Sequence, residues 1–135
     1  MTSPALFYAM FFHVCWAALL YTLLTIFRAP SIWGIDTKSG GIRKLACLEP
    51  RVSANLSNQF EWPLFFHSAC LLTMLIGSPS DGLQAAFAWL FVGGRVIHSY
   101  VQILTTNIRL RGAVFTINFL AVFFMWVNLA VKMAS

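Results

Sequence analysis

Charged residues are scarce in this chain of 135 residues, since Asp, Glu, Lys and Arg together make up only 10% of it. A soluble domain usually carries about 25% charged residues. This sequence is instead 59% hydrophobic, with a mean hydropathy of +0.77. The shortage of charge argues against a soluble globular protein and favours one embedded in lipid.

Further absences argue against a nucleic-acid partner, a disulfide framework and a metal centre. The basic residues do not form a face that alternates with exposed aromatic residues, so the net charge of +5 does not indicate a nucleic-acid partner. The three cysteines lack the spacing of a disulfide framework. The histidines, His13, His67 and His98, lie in different apolar segments without the i, i+4 pairing of a helical metal site. No metal centre is therefore predicted.

Long apolar runs dominate what remains. Four of them, at residues 6–27, 52–76, 83–104 and 113–131, are each close to the ~20 residues that cross the hydrocarbon core of a bilayer. The first run has no Lys or Arg before it and is longer than the apolar part of a signal peptide, so it is predicted to be a true span. Pro63 should kink the second helix, because it has no amide hydrogen to donate. The sequence predicts one all-α domain over residues 1–135, a bundle of four transmembrane helices with a loop at 28–51.

Basic residues lie mainly on one side of these predicted spans. Cytoplasmic loops retain Lys and Arg near membrane ends, so this distribution predicts that both termini lie on the non-cytoplasmic side. The first and third connections carry Arg28, Lys38, Arg43, Lys44, Arg51, Arg109 and Arg111, against Lys132 alone on the other side.

Polar residues form one stripe on each of two predicted helices. Arg51, Asn55 and Asn58 follow helical spacing on the second helix, and Glu61 lies one turn further on. The third helix carries its own stripe, which includes Arg95, His98, Gln102 and Arg109. Polar stripes in lipid should face each other or a water-filled cavity.

Glu61 and Arg95 are the deepest charges in these stripes. At ~1.5 Å per residue, each lies about 15 Å from the basic end of its own helix, and the two helices run antiparallel. Either charge alone would cost at least ~2.5 kcal/mol at the bilayer centre. We therefore predict an ion pair between them, which either fixes helix register only or forms part of a site.

The hydrogen-bonding capacity around this pair exceeds what one ion pair requires. Asn55, Asn58, His98 and Gln102 lie nearer the basic end. The Arg residues there can hold the carboxylates of a small anion through paired guanidinium contacts. The pattern therefore indicates a polar, anionic ligand bound beside lipid.

The second-helix string RVSANLSNQFEWPLFF and the third-helix string GRVIH resemble the MAPEG family, the membrane-associated proteins in eicosanoid and glutathione metabolism. The GRVIH run is most similar to that of the microsomal prostaglandin E synthases. The resemblance implies a homotrimer, with glutathione bound as co-substrate between subunits near the cytoplasmic side and a lipophilic substrate entering from membrane lipids. The residues assigned to glutathione binding are Arg51, Asn55, Asn58, Glu61, Arg95, His98 and Gln102.

The same resemblance assigns the catalytic role to Arg111, which would stabilise the glutathione thiolate, or to Arg109 if the register shifts by two residues. It implies a glutathione transferase or peroxidase that acts on lipophilic electrophiles. The short chain with minimal loops favours a bacterial inner membrane, with an internal eukaryotic membrane as the alternative. A non-catalytic lipid-binding or scaffold protein of the same fold is the alternative, because many members have an Arg where this chain has Ala54. A small transporter or channel subunit with Glu61 and Arg95 lining a path is a third hypothesis.

Overall fold

The computed structural model describes residues 4–34, 40–77 and 82–134, and all the regular elements in these ranges are helices. Three of them are long and apolar enough to cross a membrane: α1, α5 and α6. The shorter α3 and α4 follow one another along the bundle and together form its fourth helical segment. α3 packs on α1 and α5, while α4 packs on α6 and α1. The predicted all-α bundle of four helical segments is confirmed, while the trimer stays a prediction. The helices are α1 (Pro4–Trp33), α2 (Gly40–Ala46), α3 (Glu49–Asn58), α4 (Pro63–Ile76), α5 (Gly82–Leu104) and α6 (Ile108–Ala134).

The second predicted span is two helices rather than one continuous helix over 52–76. α3 ends at Asn58, where the amides of Gln59 and Phe60 bond the carbonyls three residues back at 2.9 and 3.0 Å. Pro63 then begins α4, at a position where its missing amide hydrogen costs nothing. The kink predicted at Pro63 is therefore a full break, and residues 59–62 form a turn inside the bundle.

The connection predicted as a loop over 28–51 is also largely helical. α1 continues to Trp33, and α2 and the first turn of α3 follow. Arg28 ties the end of α1 to α3, because its Nε lies 2.7 Å from Oε1 of Glu49 and its Nη2 donates to Oγ of Ser53 at 3.2 Å. Lys38 and the side chain of Arg43 lie outside the described residues.

The last helix begins five residues before its predicted start at residue 113. Oδ1 of Asn107 accepts a hydrogen bond from the amide of Leu110 at 3.0 Å, which is the contact of a helix N-cap. This cap places Arg109 and Arg111 within the first turns of α6 rather than in a loop. Their positions are therefore fixed by helical backbone.

Two apolar clusters hold the bundle together, with polar side chains between them. The larger joins α1, α4, α5 and α6, and its rings Phe66 and Phe91 stack with centroids 4.5 Å apart. The smaller lies between α1 and α3 and includes Leu20 and Val52. Along the helices, the buried residues between these clusters are polar. They are His13, Gln59, Arg95, His98 and Ser99.

Candidate functional site

Three adjoining cavities run along the face formed by α3, the turn, α5 and α6. The first, of about 210 Å³, lies at the end of the bundle that carries Arg51 and Arg111. The second, of about 330 Å³, shares Arg111 and Gln102 with the first. The third, of about 310 Å³, shares Asn58 and Phe115 with the second. We call this continuous surface the basic groove.

Most of the site residues predicted from the sequence meet in this groove. Arg109 does not line any of the three cavities, whereas Arg111 lines two of them. Asn55 and Arg95 are fully buried behind the groove wall. The predicted residues that line the groove are Arg51, Asn58, Glu61, His98, Gln102 and Arg111.

Side-chain amides join α3 to α5 along the groove wall. Oε1 of Gln102 accepts hydrogen bonds from Nδ2 of Asn55 at 2.8 Å and Nδ2 of Asn58 at 3.3 Å. Arg51 reaches across the same gap and donates to the carbonyl of Ile103 at 3.3 Å. The two polar stripes therefore face each other, as their helical spacing indicated.

Arg95 is completely buried and donates hydrogen bonds at the break between α3 and α4. In a continuous helix the carbonyl of Asn58 would accept from the amide of residue 62, but the turn removes that donor. Nη2 of Arg95 donates to this carbonyl instead, and its Nε donates to Oε1 of Gln59 at 3.2 Å. A cation at the carbonyl end of a helix is also favoured by the helix dipole.

The predicted ion pair between Glu61 and Arg95 is not formed, although the structure describes both residues and places them within electrostatic range. The prediction assumed a continuous helix, which would have carried Glu61 past Asn58 on the stripe facing Arg95. In the structure Glu61 lies in the turn with its side chain exposed. The carboxylate is consequently open to the groove rather than engaged by the guanidinium.

Gln59 is the polar residue that the sequence reasoning missed. It is buried and uses both ends of its amide: Oε1 accepts from Arg95 and from Nε2 of His13, at 3.2 and 3.1 Å. Its Nε2 donates to Oδ1 of Asn55 and Oγ of Ser99, each at 3.3 Å. The signal for this residue was its position four residues before Pro63, because Pro63 cannot donate a backbone hydrogen bond to the carbonyl of Gln59 and the helix breaks there.

Several buried polar atoms beside the groove have no hydrogen-bond partner among the described residues. Buried polar groups in native proteins are normally paired, so such atoms indicate a place for water or a ligand. Trp62 and His98 themselves line the groove. The unpaired atoms are Nε1 of Trp62, Nη1 of Arg95, Nδ1 of His98 and both amide atoms of Asn118.

The groove has opposite charge at its two ends. Arg51 and Arg111 lie at one end, and the carboxylate of Glu61 lies at the other, with amide and imidazole groups between them. Such an arrangement suits an elongated ligand that carries both carboxylates and an ammonium group. Among the described residues no group of three or more His, Cys, Asp or Glu side chains is placed to hold a metal ion.

Comparison with known proteins adds one finding. A model of the MAPEG family matches residues 6–131, which is nearly the whole chain. No curated protein and no solved structure matches this chain. Since the match runs from the first helix to the last and includes every residue of the groove, this chain is an integral membrane protein and belongs to the MAPEG family.

Proposed function

We propose that this protein is a glutathione-dependent enzyme that acts on lipophilic electrophiles from the membrane. The charge distribution of the basic groove carries the proposal. Glutathione carries a carboxylate at its glycine end and an ammonium group, beside its second carboxylate, at its γ-glutamyl end. The glycine carboxylate matches the Arg51 and Arg111 end of the groove, and the ammonium group matches the Glu61 end. Membership of the MAPEG family supports a glutathione-related function in a membrane.

Arg111 is the proposed catalytic residue. A thiol with a pKa near 8.5 is mostly protonated at neutral pH, and an adjacent guanidinium favours the thiolate, which is the nucleophile. The thiolate sulfur attacks an electrophilic carbon of the substrate, a carbon–sulfur bond forms, and the leaving group departs with the bonding electrons. With a peroxide, sulfur attacks oxygen instead: a sulfur–oxygen bond forms, the oxygen–oxygen bond breaks, and the alkoxide leaves and takes up a proton. A second glutathione then reduces the sulfenic acid, which gives glutathione disulfide and water. Asn58, Glu61 and His98 hold and orient the ligand.

A second copy of the chain would complete the site. Glu61 and Arg111 are exposed in the single chain, so the groove lacks an outer wall. We propose that the neighbouring subunit of a homotrimer supplies it. The electrophile would enter between subunits from the lipid. The basic end of the groove would face the cytoplasm of a bacterial cell, with both termini on the other side of the inner membrane.

The test compares Arg111→Ala with Arg109→Ala in purified full-length protein. Both variants remove one exposed Arg from the start of α6, but only Arg111 lines the groove. Conjugation of glutathione to a chloro-dinitrobenzene electrophile should fall about 10- to 100-fold in kcat/KM for Arg111→Ala, the value of a charge-assisted hydrogen bond. Arg109→Ala should remain close to the wild type. Equal activities of the two variants would remove Arg111 from the mechanism.

A non-catalytic lipid-binding protein of the same fold is the second candidate. The observation that favours it is Ala54, which lines the first cavity with an exposed methyl group at a position where the family resemblance leads us to expect an Arg. This candidate predicts that the wild-type protein gives no conjugation in the same assay. Any glutathione-dependent turnover that Arg111→Ala reduces decides for the enzyme.

A further inference from the structure

A separate cavity of about 380 Å³ opens on the other side of the helix break, between α1 and α4. It shares no lining residue with the basic groove. Its walls are mostly apolar, with Val14 and Leu64 among them, and His13, Gln59 and His67 bring ring and amide groups to it. We call it the α1–α4 cavity.

The hydrogen bonds at this cavity have a fixed direction, which begins at Arg95. A guanidinium has donors only, so the Gln59 atom that faces Nε of Arg95 must be the carbonyl oxygen. Nε2 of His13 lies 3.1 Å from the same oxygen and must therefore donate to it. A neutral imidazole carries a single N–H. Nδ1 of His13 is consequently an acceptor.

His67 continues this chain of bonds. Its Nε2 lies 3.1 Å from Nδ1 of His13 and must be the donor, because Nδ1 of His13 has no hydrogen. A charged imidazolium among apolar walls in a membrane would be costly, so His67 is neutral and its Nδ1 also lacks a hydrogen. His67 lines the cavity with a ring that is only partly buried. The chain therefore ends at Nδ1 of His67, an acceptor without a partner among the described residues, on a ring that lines the cavity.

We propose that the α1–α4 cavity binds a lipid-soluble molecule that carries a hydroxyl group, with the hydroxyl donating to Nδ1 of His67. The hydrocarbon part would lie along Val14, Ala17 and Leu64, and the aromatic rings of Tyr21 and Phe60 would border it. A volume of about 380 Å³ is within the range of small-molecule sites. A head group that only accepts hydrogen bonds, such as an ether or ester, would place its oxygen lone pairs against the lone pair on Nδ1 of His67. That contact is repulsive.

A preference for ligands that donate a hydrogen bond would distinguish a specific binding site from a gap that bulk lipid fills. An apolar groove alone would take any acyl chain. Here the polar end is oriented through Gln59 and His13 by a buried cation, so the same atom always presents a lone pair. A metal site is a poor fit, because His13 and His67 belong to no group of three or more ligand side chains among the described residues.

The test uses two photoreactive probes with the same hydrocarbon tail, a long-chain diazirine alcohol and its methyl ether. Each is titrated into the purified full-length protein in lipid nanodiscs, and labelled peptides are mapped by mass spectrometry. The alcohol should label residues 14–21 and 60–67 at about fivefold lower concentration than the ether, the value of roughly one hydrogen bond. Equal labelling by the two probes, or no labelling because a second copy covers the cavity, would overturn the proposal.

Variants of α4 sharpen the result. His67→Leu should abolish the preference for the alcohol, whereas His67→Gln, whose amide again has both a donor group and an acceptor oxygen, should keep part of it. Ser68→Ala is the matched control, since Ser68 bonds the carbonyl of Leu64 and does not line the cavity. A preference that survives His67→Leu would contradict the assigned acceptor. If His67→Leu fails to fold, the wild-type comparison of alcohol with ether still decides.

Discussion

Two polar clusters are buried in this bundle, and they differ in how completely they are paired. At the end away from the basic groove, Nε2 of Gln84 donates to Thr73 and to the carbonyl of Met125 at 3.0 and 3.3 Å, while its Oε1 accepts from Asn128 at 2.9 Å. Around Arg95 the same kind of network leaves several buried atoms without partners among the described residues. It also adjoins cavities on both sides of the helix break.

The cluster around Gln84 stabilises the fold, whereas the cluster around Arg95 is the one that we propose also serves ligand binding. Both donor hydrogens of the Gln84 amide are used and its oxygen has a partner, so this cluster can fix the register of α4, α5 and α6 without leaving an unpaired amide atom for a ligand. The cluster around Arg95 uses part of its capacity to close the break between α3 and α4. The remainder faces or borders cavities, which is the arrangement that ligand binding requires.

Arg95→Leu should have the largest effect on stability. It removes the donors to the carbonyl of Asn58 and to Oε1 of Gln59 at the end of α3. The carbonyl of Asn58 is left unpaired and Oε1 of Gln59 keeps only its bond from His13, which should lower the free energy of unfolding by about 3 kcal/mol. Thermal unfolding in detergent, followed by circular dichroism, measures the change. Arg95→Lys should recover only part of the loss, and a fully stable Arg95→Leu protein would show that the break needs no guanidinium.

Gln84→Leu should come next, at about 2 kcal/mol of unfolding free energy. The amide of Asn128 and the carbonyl of Met125 lose their partner, but no residue of the basic groove is touched. Glutathione conjugation per folded molecule should therefore stay at the wild-type level. A loss of activity at unchanged stability would break the distinction between the two clusters.

Gly94→Ala should disturb the contact between α5 and α6 beside the groove. A Cβ at Gly94 would collide with Oδ1 of Asn118, a buried side chain without a partner among the described residues. Overpacking of this kind costs about 1–3 kcal/mol. Gly93→Ala is the neighbouring control, because a Cβ there meets nothing within 4 Å. Unfolding midpoints that coincide for the two variants would argue against close packing of Asn118 on α5.

Glu49→Gln should have the smallest effect. It removes the carboxylate that pairs with Arg28 at 2.7 Å, but both side chains are partly open to the surroundings. Surface pairs of this kind contribute less than about 1 kcal/mol and weaken with salt. The small loss should vanish in high salt, when unfolding midpoints are compared at two ionic strengths. A large loss that salt does not reduce would mean that this pair holds α1 to α3 as a buried pair would, and would contradict its assignment as a surface pair.

Helical periodicity was sufficient to predict most of the groove. Asn58 lies one helical turn beyond Asn55 on α3, and His98 and Gln102 lie one turn apart on α5, so each stripe could be drawn without knowledge of the fold. The match between the two stripes followed from the need to pair polar groups in lipid. The predicted start of α5 at residue 83 differs from the observed Gly82 by a single position.

Periodicity failed where the helix ends. Because α3 stops at Asn58, Glu61 leaves its stripe, and the carbonyl of Asn58 rather than a carboxylate becomes the partner of Arg95. The same break turns Gln59 into the centre of the network. Pro63 indicated a disturbance but not its size, since a kink and a complete break follow from the same missing amide hydrogen. Which of the two forms depends on whether a neighbouring helix supplies a donor.

Calorimetric titration of the purified protein with glutathione tests the central claim most directly. The basic groove should give saturable heat with one site per chain or per subunit interface. Affinity should fall about tenfold or more in Glu61→Gln, which removes the partner of the ligand ammonium, and stay unchanged in Gln84→Leu. Absence of saturable heat at millimolar glutathione, or equal affinities in the wild type and Glu61→Gln, would show that the groove is not a glutathione site.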